Sequence, residues 1–384
     1  MIPYGRQWID DDDIAAVVEV LRSDWLTQGP AVEAFERSVA EKVGAEHAIA
    51  VSNGTAALHL AALAIDLGPG GTLWTSPITF VASANCALYT GAKVDFVDIE
   101  PDTGLLDVSA LEHKLQEADD AGTLPKAIVA VHLGGQPCDM LRLRLAADRY
   151  GIAVIEDAAH AIGGSCAGTP VGACEFSDMT TFSFHPVKVV TTGEGGMITT
   201  NDEELAGKLR LLRTHGITRD PSLMLGEPDG PWYYEQIDLG YNYRITDFQC
   251  ALGVSQMRRL DAFVARRAEL AARYDELLAE LPVNPLVQRE GRESGWHIYV
   301  VTLAPEAQRS RREVFDALRA EGIGVNVHYI PVHLQPYYRA MGFEPGDFPR
   351  AEAYYEAAIT LPLYPALTEA EQDTVVAALA KALS

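Results

Sequence analysis

Short apolar runs alternate with amphipathic stretches through the N-terminal half of the chain. The runs His47–Val51, Thr72–Thr75, Val94–Val97, Ala127–Val131, Ala153–Glu156, Thr180–Phe184 and Gly196–Thr200 are strand-length and mostly apolar at odd and even positions alike. Each predicts a strand covered on both faces. Between them, Thr55–Ile65, Phe80–Tyr89, Val108–Leu115, Met140–Tyr150 and Glu203–Leu212 read as helices. A further helix opens on the acidic cluster Asp10–Asp13 and carries the stripe Ile14, Val17, Val18, Leu21. Strands alternating with helices predict an α/β fold, a mostly parallel sheet sandwiched by helices. In such sheets ligands bind beyond the carboxyl ends of the strands.

The rhythm changes after Pro221–Pro231, which is rich in Gly, Pro and acid and reads as a surface loop. One long helix is predicted over 246–281, with Leu252, Met257, Leu260, Phe263, Val264, Leu270 and Leu277 as its apolar positions. Beyond it come a strand over 297–303, a helix over 311–321, a strand over 324–328 and two closing helices. The expected organisation is a large domain at 1–245, a bridging helix at 246–281 and a small α+β domain at 282–384.

Composition narrows the function. Over 384 residues the formal net charge is −24, which repels nucleic acid and offers no basic patch to an anionic membrane. No apolar stretch is long enough for a membrane span, and the N-terminus lacks the pattern of a secretion signal. The five cysteines, Cys86, Cys138, Cys166, Cys174 and Cys250, show no metal-ligand spacing. Reduced thiols in a cytoplasmic protein, with no metal site, are therefore expected.

Four segments at predicted strand ends carry candidate chemistry. Lys188 follows the strand at Thr180–Phe184 and precedes the turn Thr191-Thr192-Gly193-Glu194-Gly195-Gly196. A lysine that condenses with a carbonyl needs such a desolvated loop beside flexible backbone. Ser52-Asn53-Gly54-Thr55 runs from a strand into a helix, whose free amides and dipole can seat a phosphate. Asp157 closes another strand, where a carboxylate can hold a pyridine nitrogen protonated. Phe80, at a third strand end, can stack on a flat ring. Each alone has an ordinary explanation as a surface charge, a helix cap or core packing. Taken in order, they describe a pyridoxal phosphate (PLP) site.

With those residues in place, the chain resembles the DegT/DnrJ/EryC1/StrS family of PLP-dependent, fold-type I sugar aminotransferases. The shared runs are Ser23–Pro30, Ser76–Ala82, Ser183–Lys188, His215–Asp220, Gly240–Arg244 and Val327–Tyr338. Within the family they are most similar to the C4 aminotransferases of pseudaminic acid biosynthesis. The resemblance implies L-glutamate as amino donor, leaving as 2-oxoglutarate, and a UDP-linked 4-keto-6-deoxy-N-acetylhexosamine as acceptor. It makes Lys188 the covalent anchor of the cofactor and the proton carrier. Asp157 pairs with the pyridinium, Phe80 stacks on the ring, and Gly54, Thr55 and Ser183 hold the phosphate. His160, where many relatives carry Gln, stands near the ring's phenolic oxygen. Asn242 reaches the phosphate in a neighbouring subunit, so a homodimer with a shared active site is implied. Tyr4, Thr27, Arg219, His328, Tyr329 and His333 are candidates for the sugar nucleotide. The runner-up is a C3 or C4 aminotransferase for another UDP- or dTDP-keto sugar. Related dehydratases carry His at the lysine position, so Lys188 argues against them.

Overall fold

The computed structural model describes residues 1–384. Seven strands form the central sheet, in the order His47–Val51, Gly196–Thr200, Met179–Ser183, Ala153–Asp157, Ala127–Val131, Thr72–Thr75, Lys93–Phe96. The five from Met179–Ser183 to Lys93–Phe96 run parallel. Gly196–Thr200 runs antiparallel to both of its neighbours.

Alternation of side chains across each strand builds a core on both faces. Val129 and Val131 pack with Ile155 and Met179 against the helices Gly54–Ala64 and Ala82–Tyr89. Ile128, Ala130 and Val154 face the opposite way, onto Val108–Ala121 and Met140–Asp148. Phe182, Ala48 and Met197 meet Phe35 and Val39 of Pro30–Val43 and Cys250 of Asp247–Met257. A further core forms among Leu270, Tyr274, Val301, Leu318, Ile359 and Leu379 in the C-terminal part.

Several predicted elements differ from those observed. In place of two closing helices there are three, Pro336–Arg339, Pro349–Ala357 and Glu369–Leu383, and the strand Ala358–Leu361 between the last two pairs with Tyr299–Leu303. The single helix expected over 246–281 is two, Asp247–Met257 and Leu260–Leu278, with Arg259 between them at φ −107° and ψ 2°. Arg259 binds both Asp10 and Asp13, and the break turns its side chain toward the first helix. A continuous apolar stripe does not register this long-range ion pair. The strand expected over 324–328 is an extended segment with isolated bridges only, one from Ile323 to Ile2 and one from Asn326 to Thr360. Its partners lie at the N-terminus and near residue 360, out of reach of a local pattern. The helix expected from Phe80 starts at Ala82, which leaves Phe80 in the preceding turn.

Candidate active site

The carboxyl ends of the parallel strands open onto a cavity of about 960 Å³. Glu156 and Asp157 are consecutive, so the pleat sends their carboxylates to opposite faces of the sheet. Asp157 turns into the cavity wall, where Ser83 Oγ donates to its Oδ2 at 2.5 Å and the Ala159 amide donates to Oδ1 at 3.1 Å. Thr79 Oγ1 lies 2.6 Å from Ser83 Oγ and fixes that hydroxyl. Glu156 turns away, 2.7 Å from His132 Nε2, and accepts hydrogen bonds from Ser177 and Thr180. The strand bearing Asp157 is thus pinned from behind.

The phosphate-like seat is built at a helix start. Asn53 caps Gly54–Ala64 by accepting from the Ala56 amide at 2.8 Å. The leading amides of Gly54 and Thr55 have no intrahelical acceptors. A Cβ at residue 54 would lie 2.9 Å from Ser183 Cβ, so glycine is required for the helix to approach the strand end so closely. Gly54, Thr55 and Ser183 therefore line one corner together. On the same wall lies Lys188, in the turn that follows Met179–Ser183. Burial pushes its amine down to about 8, while the charge of Asp157 pulls the other way. Phe80 is 59% exposed, a large ring left open on the cavity wall and tilted 6.4 Å from Tyr329.

Histidines line the deep side. His160 Nδ1 accepts the Gly134 amide at 3.3 Å, which leaves the proton on Nε2, 3.1 Å from the Tyr329 hydroxyl. His328 Nδ1 lies 2.8 Å from Thr360 Oγ1. Burial holds His160 well below the usual histidine range, and burial reinforced by the Lys188 charge pushes His328 down to about 4. Both rings are therefore neutral at physiological pH.

The cavity thus brings together Tyr4, Gly54, Thr55, Phe80, Asp157, His160, Ser183, Lys188, His328 and Tyr329. It does not include Thr27, Arg219, Asn242 or His333. Thr27 is exposed and bridges Thr246; Arg219 and Asn242 are also exposed. His333 is fully buried, 2.9 Å from Glu352, with its ring edge-on to Phe348, so an internal acid and an aromatic cluster hold it away from the cavity. The wall also includes residues that sequence reading passed over. Asn326 comes from the isolated bridge near Thr360, and His297 from just before the strand Tyr299–Leu303. His59, Tyr241 and Tyr243 form an aromatic corner, with His59 Nδ1 3.1 Å from the Tyr243 hydroxyl. Only the Tyr-Asn-Tyr-Arg run gave a local signal for that corner.

An anion seat, a carboxylate, an open aromatic face and a buried amine of lowered basicity match the phosphate, ring nitrogen, ring face and aldehyde of PLP. The donor set fits that cofactor.

Comparison with known proteins agrees. The DegT/DnrJ/EryC1/StrS aminotransferase family profile matches residues 7–380. The chain is 42% identical over 385 residues to the spore coat polysaccharide biosynthesis protein SpsC of Bacillus subtilis, covering 98% of this chain and 96% of that one. It is 37% identical over 366 residues to a UDP-4-amino-4,6-dideoxy-N-acetyl-beta-L-altrosamine transaminase of Campylobacter jejuni, covering 95% and 93%. The PLP form of a putative sugar aminotransferase, Spr1654 of Streptococcus pneumoniae, superposes with a TM-score of 0.90 at 30% identity, covering 100% and 98%. A lysine, an aspartate and a glycine-led helix meeting at the end of a parallel sheet, with a family match over nearly the whole length, make this chain a PLP-dependent member of the DegT/DnrJ/EryC1/StrS aminotransferases.

Proposed function

We propose that the protein moves the amino group of L-glutamate to C4 of a UDP-linked 4-keto-6-deoxy-N-acetylhexosamine, giving UDP-4-amino-4,6-dideoxy-N-acetyl-beta-L-altrosamine. The observation that carries the transaminase chemistry is the buried Lys188 amine, held near neutrality beside Asp157 in one cavity. The 37% identity to the altrosamine transaminase supports the acceptor sugar.

In this reading the cofactor supplies an electron sink for the carbon that loses its proton. The chain supplies everything else. Asp157 holds the pyridine nitrogen in its protonated form, and Ser83 with the Ala159 amide keeps that carboxylate aimed. Gly54, Thr55 and Ser183 hold the phosphate. Phe80 covers one ring face, and His160 stands at the ring's phenolic side. Lys188 takes the proton from the donor's α-carbon and returns it on the other side of the reaction. Its lowered basicity keeps a useful fraction as free amine at neutral pH. Tyr4, His328 and Tyr329 stand where a sugar can be oriented.

The same reading makes the enzyme a homodimer in the cytoplasm. Asn242 is exposed and outside its own chain's cavity, as required of a side chain that completes the partner's phosphate seat. Exposed Arg219 and Thr27 are then available to a partner's substrate. A large domain at 1–245 and a small domain at 282–384 flank the paired helices.

The test is incubation with PLP, L-glutamate and the UDP-4-keto sugar of altro-series configuration, with mass spectrometry for the 4-amino product. Efficient formation, with the gluco-configured isomer poor, supports the proposal. If glutamate converts the cofactor but neither sugar is aminated, the acceptor is wrong. The higher identity to SpsC makes a different keto sugar the second reading.

A further inference from the structure

A guanidinium with no acid to balance it sits behind the deep end of the cavity. Arg267, on the helix Leu260–Leu278, is 1% exposed. Its Nη1 donates to the carbonyls of Leu363, His297 and Trp296 at 3.0, 3.1 and 3.2 Å. Its Nε is sealed and has no partner, and it forms no ion pair with any carboxylate. Folds seldom bury a cation uncompensated, because desolvation costs more than a few carbonyls return. This one lies against the main chain of a cavity residue.

That residue is His297. It is 3% exposed, lines the cavity, and packs against His160 with ring centroids 4.4 Å apart and the rings tilted by 52°. Its Nδ1 is buried without a hydrogen-bond partner. The two other deep histidines are engaged, His160 by Gly134 and Tyr329 and His328 by Thr360. Of these three, His297 alone has no side-chain hydrogen bond. Burial, with the charges of its neighbours, holds its ring neutral, so it presents one N–H and one bare nitrogen.

The ligand group follows from charge and size. No arginine of the same chain lines the cavity, and the acids that chain places there, Asp157 and Glu194, are matched by Lys188 alone. The field of Arg267, weakly screened by the interior, favours an anion at His297. The reacting carbon stands beside Lys188 in both half-reactions. In the keto sugar that carbon bears ring carbons; in the amino donor it bears a carboxylate. The exposed rings of Phe80 and Tyr89 mark the open side of the cavity, which leaves room for a bulky nucleotide there.

We infer that His297 donates a hydrogen bond to the α-carboxylate of the amino donor, with Arg267 behind it supplying the positive field that favours an anion there. This rests on the transaminase reading and on a dicarboxylate donor, and is independent of which sugar is the acceptor.

The test uses the PLP-loaded enzyme and needs no sugar. Binding of glutarate, an unreactive dicarboxylate, and L-glutamate's conversion of the cofactor are followed by the cofactor's absorbance in wild type, His297→Phe and His297→Gln. His297→Phe keeps the ring volume and loses the donor; His297→Gln restores a donor. The expected result is that His297→Phe weakens both ligands about tenfold or more, His297→Gln recovers part of the loss, and PLP affinity and melting temperature stay at wild-type values. The inference is overturned if glutarate binds His297→Phe within about twofold of wild type. It is equally overturned if PLP is lost along with the dicarboxylates, or if the glutamine variant is no better than the phenylalanine one. Failure to aminate the altro-series sugar, with these results intact, counts against the acceptor sugar alone.

Discussion

Lys188 concentrates the chemistry at the scale of single residues. Its amine is driven from 10.5 to about 8 by burial. Two consequences follow in the cofactor-free protein. The rate at which it captures added PLP should rise with pH and level off above about 8, whereas an ordinary lysine would keep rising toward 10.5; stopped-flow absorbance reads this directly. Stability gives the second. Between about 8 and 10.5 the unfolded chain holds a proton on this lysine that the folded chain does not, so stability rises with pH across that window. Lys188→Met should abolish that rise and stabilise the cofactor-free protein below pH 8 by on the order of 3 kcal/mol, measured by urea unfolding. Lys188→Ala should abolish turnover while leaving the circular dichroism spectrum unchanged. Substantial residual transamination would remove Lys188 from the mechanism. Gly54 is the other decisive single residue. The methyl of Gly54→Ala meets Ser183 Cβ at 2.9 Å, so the helix must back away from the strand end: PLP should bind at least about tenfold more weakly, and the cofactor-free protein should lose about 1–3 kcal/mol in urea unfolding.

Among the elements, the strand Ala153–Asp157 does the most positioning. Its penultimate residue, Glu156, is buried between His132, Ser177 and Thr180 on the face opposite the cavity. Glu156→Ala leaves His132 Nε2 without its partner and Ser177 and Thr180 with only longer contacts, and should cost about 3 kcal/mol in urea unfolding, with a secondary fall in PLP affinity as Asp157 loosens. Ser177→Ala, which removes one bond of the set, should cost about 1 kcal/mol. Equal effects of the two substitutions would mean that the carboxylate is not the hub. The sequence run Ile155-Glu156-Asp157 pointed to an acid at a strand end, and the alternation of the pleat decides which of the two acids faces the cavity. The helix pair around Arg259 illustrates the opposite case. Its apolar stripe continues across 258–259, and the break is legible only once Asp10 and Asp13 are seen to meet Arg259.

At the scale of the whole molecule, the cavity draws on both ends of the chain. Tyr4 is held by the Leu363 amide, and Gly324 donates to Ile2, so the N-terminus is packed into the C-terminal part beside His328. The proposed sharing of active sites between subunits has its own test. Lys188→Ala and Asn242→Ala homodimers should both be weak. Mixed dimers should regain up to about half of wild-type activity per active site pair, because one of the two sites then contains neither substitution. No recovery on subunit mixing, with dimers confirmed by analytical ultracentrifugation, would show that Asn242 serves its own chain or none.

Local physics made much of this molecule readable in one dimension. The alternation of doubly buried strands with amphipathic helices, and the placing of Gly54, Phe80, Asp157 and Lys188 at strand ends, depend on residue spacing and turn chemistry, which a sequence carries explicitly. The tertiary structure decided what spacing does not encode. It separated His328 and Tyr329, which reach the cavity, from His333, drawn by Glu352 and Phe348 into a separate cluster. It brought His297, unremarkable in its Trp-His-Ile-Tyr context, onto His160 with Arg267 behind it. Those outcomes turn on which side chains meet across separations from 15 residues, for His333 and Phe348, to 169, for His160 and Tyr329, and burial, charge and packing settle that only when the chain has closed on itself.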